Sequence, residues 1–333
     1  LKGVIKKGGG DVVRKFAAIV MLLVLLCPAA LAEPEGVTAA RAGVVHFYGV
    51  GTDRDTGQRI RWTGSGIAVG QAGEETDTFL TNWHVATGSG RCEEDSMKLW
   101  ILEDNAKFGL GQEPLEGSAT ECTVLSTTDG YPDVAVVQSV TPIPGSRALP
   151  LLSSRRLVEG TTVYALGFAG LQNVASSGEE NVQVTEGTVT DHLIMTKAGN
   201  TRAVIHSAPI QHGYSGGPLV TGDGTVVAEN TYGFEDNVTS QLFCAVYTDY
   251  GMKLLDELNI AYTRAEGRPY IAVLMANLLH QPALSDGLAY VLFAVGMIAI
   301  LAFVLYFIKT AREAFRELRE RRKRPPEEIE KEV

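Results

Sequence analysis

Cysteine is scarce in this chain of 333 residues: there are four, at positions 27, 92, 122 and 244. No Cys-x-x-Cys or His-x-x-x-His pair occurs among them and the six histidines, so the close ligand spacings of a structural zinc site are missing. No metal and no cofactor is expected. No long internal repeat and no low-complexity tract is visible, which excludes solenoid, collagen-like and coiled-coil architectures. Hydrophobic residues make up 45% and charged residues 20%, so a wholly disordered chain is excluded as well. The length leaves room for one large or two modest domains.

Basic residues are also in deficit where the main body lies. The net charge is -10, but the first 32 residues carry five basic groups against one acidic, and residues 309 to 333 carry nine against seven. Residues 33 to 308 therefore hold 15 basic and 31 acidic groups, a charge of -16. Such a surface repels phosphate backbones, so nucleic acid is not expected as a partner.

Only two long apolar runs interrupt this composition. The first, Phe16 to Cys27, follows Arg14-Lys15 and precedes Ala30-Leu31-Ala32. This is the layout of a secretory signal peptide over 1–32, with cleavage expected after Ala32. The second, Gly287 to Ile308, has 22 residues without a charge, long enough for one transmembrane helix. Eight basic residues between Lys309 and Arg324 follow it, so 309–333 reads as a cytoplasmic tail and 33–286 as extracytoplasmic. The expected location is the cell membrane, single-pass, with one spanning helix in contact with lipid. An exported chain permits a disulfide; Cys92 with Cys122 is the preferred pair.

Between residues 43 and 250 short β-rich runs alternate with Gly, Asp, Asn and Pro clusters. Six fall before the proline-bearing stretch Thr141 to Ser154: Val44 to Val50, Gly64 to Val69, Thr78 to Trp83, Lys98 to Leu102, Cys122 to Leu125 and Val134 to Val140. Six fall after it: Thr161 to Leu166, Val182 to Val189, Arg202 to His206, Pro218 to Val220, Gly224 to Asn230 and Gln241 to Tyr247. Many short strands separated by turn signals predict an all-β protein. The grouping predicts two six-stranded antiparallel barrels, about 43–140 and 155–250. A closing helix near Met252 to Leu258 completes a domain over 33–265, and a linker over 266–286 leads to the span.

Three short segments carry chemistry. Thr81-Asn82-Trp83-His84-Val85 ends a strand, Asp133-Val134-Ala135-Val136-Val137 opens another, and Gly213-Tyr214-Ser215-Gly216-Gly217-Pro218-Leu219 forms a glycine-rich turn. Together they offer His84, Asp133 and Ser215. A serine hydroxyl becomes a competent nucleophile when a base takes its proton during attack. A carboxylate on the far ring nitrogen fixes the tautomer of that base and stabilises the imidazolium. The amides of Gly213 and Ser215 are placed by the turn to receive an oxyanion. Asp129, four residues before Asp133, reads better as part of an Asp-Gly turn. His212 reads as a wall or solvated residue, and His46, His192, His206 and His280 as structural or surface residues.

With these segments in order, the chain resembles the trypsin-like (chymotrypsin-fold) serine proteases, and within them the HtrA-type branch, over roughly residues 43 to 250. Gly64-Ser65-Gly66-Ile67, Val163 to Phe168, Val184 to Val189 and Gly224 to Thr231 carry the resemblance beside the three segments above. It implies a two-barrel fold with the site in the cleft between barrels, polypeptide substrates, and hydrolysis through an acyl-enzyme. It also implies that Ala208, Pro209 and Ile210, with Asn230, Thr231, Tyr232 and Gly233, wall the first specificity pocket, which would then favour a small or medium apolar side chain. The chain departs from the pattern in placing His212 where proline is usual and Tyr214 where Asp or Asn is usual, so no activation through an ion pair to a new N-terminus is implied. Trp83 is expected to narrow the cleft. No PDZ domain follows the protease region. The other reading of the same residues is a catalytically silent, protease-shaped binding or sensor module that signals through the tail.

Overall fold

The computed structural model describes residues 33–104, 106–109, 113–170, 182–195, 199–233 and 242–266, together with 295, 296 and 316. The expected signal peptide lies outside the described residues, as do the span and tail apart from those single positions. Among the described residues no helix is long and apolar enough to cross a membrane.

Twelve strands form two closed antiparallel barrels of six. The first contains β1 (Val44–Thr52), β2 (Arg59–Ala68), β3 (Thr78–Thr81), β4 (Lys98–Leu102), β5 (Ala119–Thr127) and β6 (Ala135–Ser139), in the order β1-β2-β3-β6-β5-β4. The second contains β7 (Thr162–Gly167), β8 (Gln183–Met195), β9 (Thr201–His206), β10 (Pro218–Val220), β11 (Val226–Gly233) and β12 (Phe243–Tyr247), in the order β10-β11-β12-β9-β8-β7. Closure leaves neither sheet with an unpaired edge. This is the chymotrypsin-like arrangement expected from the strand count.

Several strands carry consecutive buried apolar residues because both of their faces are covered. In β6, Ala135 and Val137 point into the first barrel with Phe47, Phe79 and Ile101. Val136, with Val134 just before the strand, points the other way, into a seam shared with Leu80, Leu166, Val220 and Val246. The same alternation divides β7: Val163 and Ala165 fill the second barrel, while Tyr164 and Leu166 face the seam. Period-two alternation thus serves two cores at once.

Two helices close the seam. Helix α1 (Glu35–Ala40) contributes Val37 and Ala40, and the later helix over Thr248–Glu257 contributes Met252, Leu254 and Leu255. Between them in chain order, the five-residue helix α2 (Trp83–Thr87) follows β3, so the C-terminal helix is α3. The predicted strand through Trp83 stops at Thr81 instead. The carbonyl of Asn82 accepts the amides of Val85 and Ala86 at 3.2 and 3.0 Å, which starts α2 in place of further ladder pairing.

Candidate active site

The first barrel supplies His84 on α2 and Asp133 on the connection entering β6; the second supplies Ser215 on the turn entering β10. His84 Nδ1 lies 2.7 Å from Asp133 Oδ2. The backbone amide of His84 donates to Asp133 Oδ1 at 3.0 Å, and the Thr231 hydroxyl donates to Oδ2 at 2.6 Å. Burial pushes the Asp133 carboxyl up. The hydrogen bond and charge of the His84 ring, the Thr231 hydroxyl and the His84 amide together outweigh burial and hold it below its ordinary value. Asp133 is therefore an ionised carboxylate held by three hydrogen bonds beneath the imidazole.

Ser215 Oγ donates to the Thr231 carbonyl at 2.9 Å. Thr231 thus touches both the carboxylate, through its side chain, and the nucleophile candidate, through its backbone. Ser215 and His84 line one cavity of about 700 Å³ with Arg61, Trp62, Gln183 and His212. Trp83, expected to narrow the cleft, packs beside Gly90 and Gly130, and it is Trp62 that lines the cavity.

The turn bearing Ser215 is held from the first barrel. Ser65, wholly buried in β2, donates its amide to the Ser215 carbonyl at 2.8 Å and its hydroxyl to the Gly213 carbonyl at 2.7 Å, and accepts the Phe168 amide at 2.9 Å. Gly213 adopts φ +101°, and a Cβ there would lie 2.4 Å from the Phe168 carbonyl oxygen; only glycine fits. Among the described residues the amides of Gly213 and Ser215 donate no hydrogen bond within the protein. Tyr214 between them is buried in the second barrel, its hydroxyl 3.4 Å from Gln183 Oε1.

The residues that the resemblance assigns to a specificity pocket lie on the segment after β9 and on β11. Ala208 is fully buried in the second barrel, Asn230 is buried with its amide on the Pro218 carbonyl at 3.0 Å, and Thr231 is the residue beneath Asp133. Pro209 is exposed, its carbonyl accepting from Thr185 at 2.6 Å. Tyr232 and Gly233 end β11.

The expected disulfide does not form: Cys92 and Cys122 are free and buried. Cys92 bridges to Asp53, just beyond the end of β1, whereas Cys122 pairs with Leu99 of β4. Leu99 in turn faces Gly49 of β1, four positions from Asp53, so the two cysteines are offset by about 13 Å along the strands, beyond the roughly 7 Å over which a disulfide closes. Burial drives the Cys122 thiol up to about 12.

Two further residues support the site and were not singled out in the sequence. Asn82 Nδ2 donates to the Asp133 carbonyl at 2.9 Å and to Glu229 Oε1 at 2.6 Å. Glu229, on β11, is buried. A buried carboxyl in an apolar strand is a readable anomaly (Val226-Val227-Ala228-Glu229), but its partner lies 147 positions away. Among the described residues no cluster of His, Cys, Asp and Glu is arranged to hold a metal ion.

Residues 64–228 match the family model of the trypsin-like peptidase domain, a span that includes His84, Asp133 and Ser215. With the two-barrel fold, the match supports a trypsin-like serine protease. Among solved structures, an HtrA-type protease with a tripeptide is similar at a TM-score of 0.49 and 18% identity, over 68% of this chain and 64% of that one. The comparison thus spans less than two thirds of that protein's length. A search of curated proteins finds no match.

Proposed function

We propose that the protein is a serine endopeptidase of polypeptide substrates, exported and tethered to the cell membrane by the apolar run 287–308. The observation that carries the catalytic part is the 2.7 Å contact of His84 Nδ1 with Asp133 Oδ2, on the wall of the cavity that Ser215 also lines. With Nδ1–H held by the carboxylate, the other ring nitrogen carries the lone pair and is the base.

When a peptide enters the cavity, the Ser215 hydroxyl turns from the Thr231 carbonyl toward His84 and attacks the scissile carbonyl carbon. His84 takes the proton, and Asp133 stabilises the resulting imidazolium. The carbonyl oxygen, now negative, is received by the amides of Gly213 and Ser215, for which losing one donor costs about 3 kcal/mol in comparable sites. His84 returns the proton to the leaving amine, leaving an acyl-Ser215. Water, deprotonated by His84, then releases the acid product.

A second reading has one observation in its favour: the Ser215 hydroxyl is bonded to Thr231 and not to His84. On that reading the domain is a silent binding or sensor module. Treating the full-length protein with a serine-directed phosphonate separates the two. Labelling at Ser215, with peptide cleavage that disappears in Ser215→Ala, is the expected result. Absence of labelling, or equal cleavage by both proteins, refutes the endopeptidase. Protease accessibility in sealed vesicles tests the tether, with the barrels expected on the side opposite the 309–333 tail.

A further inference from the structure

Glu229 is 2% exposed, and among the described residues no cationic side chain pairs with it. It faces Asn82, whose two amide hydrogens are both committed, to Glu229 Oε1 at 2.6 Å and to the Asp133 carbonyl at 2.9 Å. The amide oxygen of Asn82 is buried and has no hydrogen-bond partner. Asn82 is also the residue whose carbonyl starts α2, the helix of His84. One side chain from the second barrel therefore backs a joint in the first, where both the base and its carboxylate are anchored.

We propose that Glu229 is a positioning residue for the hydrolysis described above, clamping the Asn82 amide from across the seam and so fixing the start of α2 and the backbone of Asp133. The inference rests on the protease reading for its catalytic consequence. A carboxylic acid offers an acceptor and a donor side by side, and a primary amide offers the complement. In its acid form Glu229 accepts from Asn82 Nδ2 and supplies the O–H that Asn82 Oδ1 lacks. An ionised Glu229 would only accept. It would leave Oδ1 unpartnered and set a second negative charge near Asp133.

The surroundings favour the acid form. Burial and the Asp133 charge both push Glu229 well above the ordinary glutamate value, against the Asn82 hydrogen bond that lowers it. Its strand partners, Pro218 and Val246, bring no charge. On the packed helix α3, Asp249 is held by Ser153 and Ser154, Lys253 pairs with Glu257, and Asp256 pairs with Arg264. Asp133, already satisfied by three donors, keeps the charge, and Glu229 keeps the proton.

The test uses full-length wild type, Glu229→Gln and Glu229→Leu. Glutamine preserves one donor and one acceptor, while leucine preserves neither. Leaving a buried amide unsatisfied corresponds to a loss on the order of 10- to 100-fold. Glu229→Leu is expected to lower kcat by that factor with little change in KM, since Glu229 does not line the cavity. Glu229→Gln is expected to recover activity to within roughly threefold of wild type on the same scale. Infrared difference spectra of wild type minus Glu229→Gln at pH 7 should show the C=O stretch of a protonated carboxyl. A leucine variant with undiminished kcat, a glutamine variant as impaired as leucine, or a wild-type spectrum without the acid band would each overturn the proposal. Should Glu229→Leu not fold, the glutamine variant and the spectrum still decide. A wild type that shows the acid band but fails to react with phosphonate refutes the protease reading instead, and the two failures are thereby distinguished.

Discussion

Replacing His206 by leucine should remove most of an acid-induced loss of stability. His206 ends β9 inside the second barrel, on the same face as Val204, and is fully buried. Burial disfavours the imidazolium and lowers the pKa to about 4, from an ordinary value of 6.5. The folded pKa is below the unfolded one, so between these values the unfolded chain binds a proton that the folded chain refuses. Stability is fully present above pH 6.5 and is lost as pH falls toward 4. At 1.36 kcal/mol per unit, the loss is about 3 kcal/mol. For a domain of this size that corresponds to a fall of roughly 10 °C in Tm. Urea titrations followed by tryptophan fluorescence at pH 7 and pH 4 measure it directly. Carboxylates that titrate in both proteins cancel in the comparison. The drop between the two pH values should be smaller in His206→Leu by about 3 kcal/mol. Parallel stability curves for the two proteins over this interval would refute the argument.

Gly216→Ala should abolish phosphonate labelling and lower the thermal midpoint. Gly216 has φ +83°, and a Cβ there would lie 2.1 Å from Thr81 Oγ1 and 2.3 Å from the Ser65 carbonyl oxygen, so strain of at least about 1–3 kcal/mol is added. Thr231→Val removes the 2.6 Å hydrogen bond to Asp133, worth about 1.5–3 kcal/mol for a charged acceptor. The expected fall in kcat/KM is roughly 10- to 100-fold, and an unchanged value would contradict the role given to Thr231. Because Cys92 and Cys122 are not joined, alkylation of the unfolded, non-reduced protein followed by peptide mass mapping should find both as thiols; a linked Cys92–Cys122 peptide pair would contradict this.

The strands were legible because each barrel strand next to the seam has two covered faces and so reads as an uninterrupted apolar run, as in Val134 to Val137. His84, Asp133 and Ser215 were legible because each sits in a short segment with its own chemical reason to exist. The supports were not. Ser65 with Gly213, Asn82 with Glu229 and Thr231 with Asp133 pair across 148, 147 and 98 positions of sequence, and no local pattern marks such pairings. The Cys92 to Cys122 pairing failed for a related reason: a spacing of thirty residues says nothing about which strand runs between them. The strand expected through Trp83 was overextended because the capping carbonyl of Asn82 competes with the ladder, a choice that depends on where α2 finds its packing.

Ser65 carries a consequence for how this molecule would wear out. It grips the backbone on both sides of Tyr214, yet belongs to the half that bears the imidazole. Prising the halves apart by even a bond length would part Ser215 from His84 and Asp133, while each closed sheet kept its own ladder intact. On heating, catalytic competence should therefore vanish before the far-ultraviolet signal of the strands does, and a heat-killed preparation would still look folded.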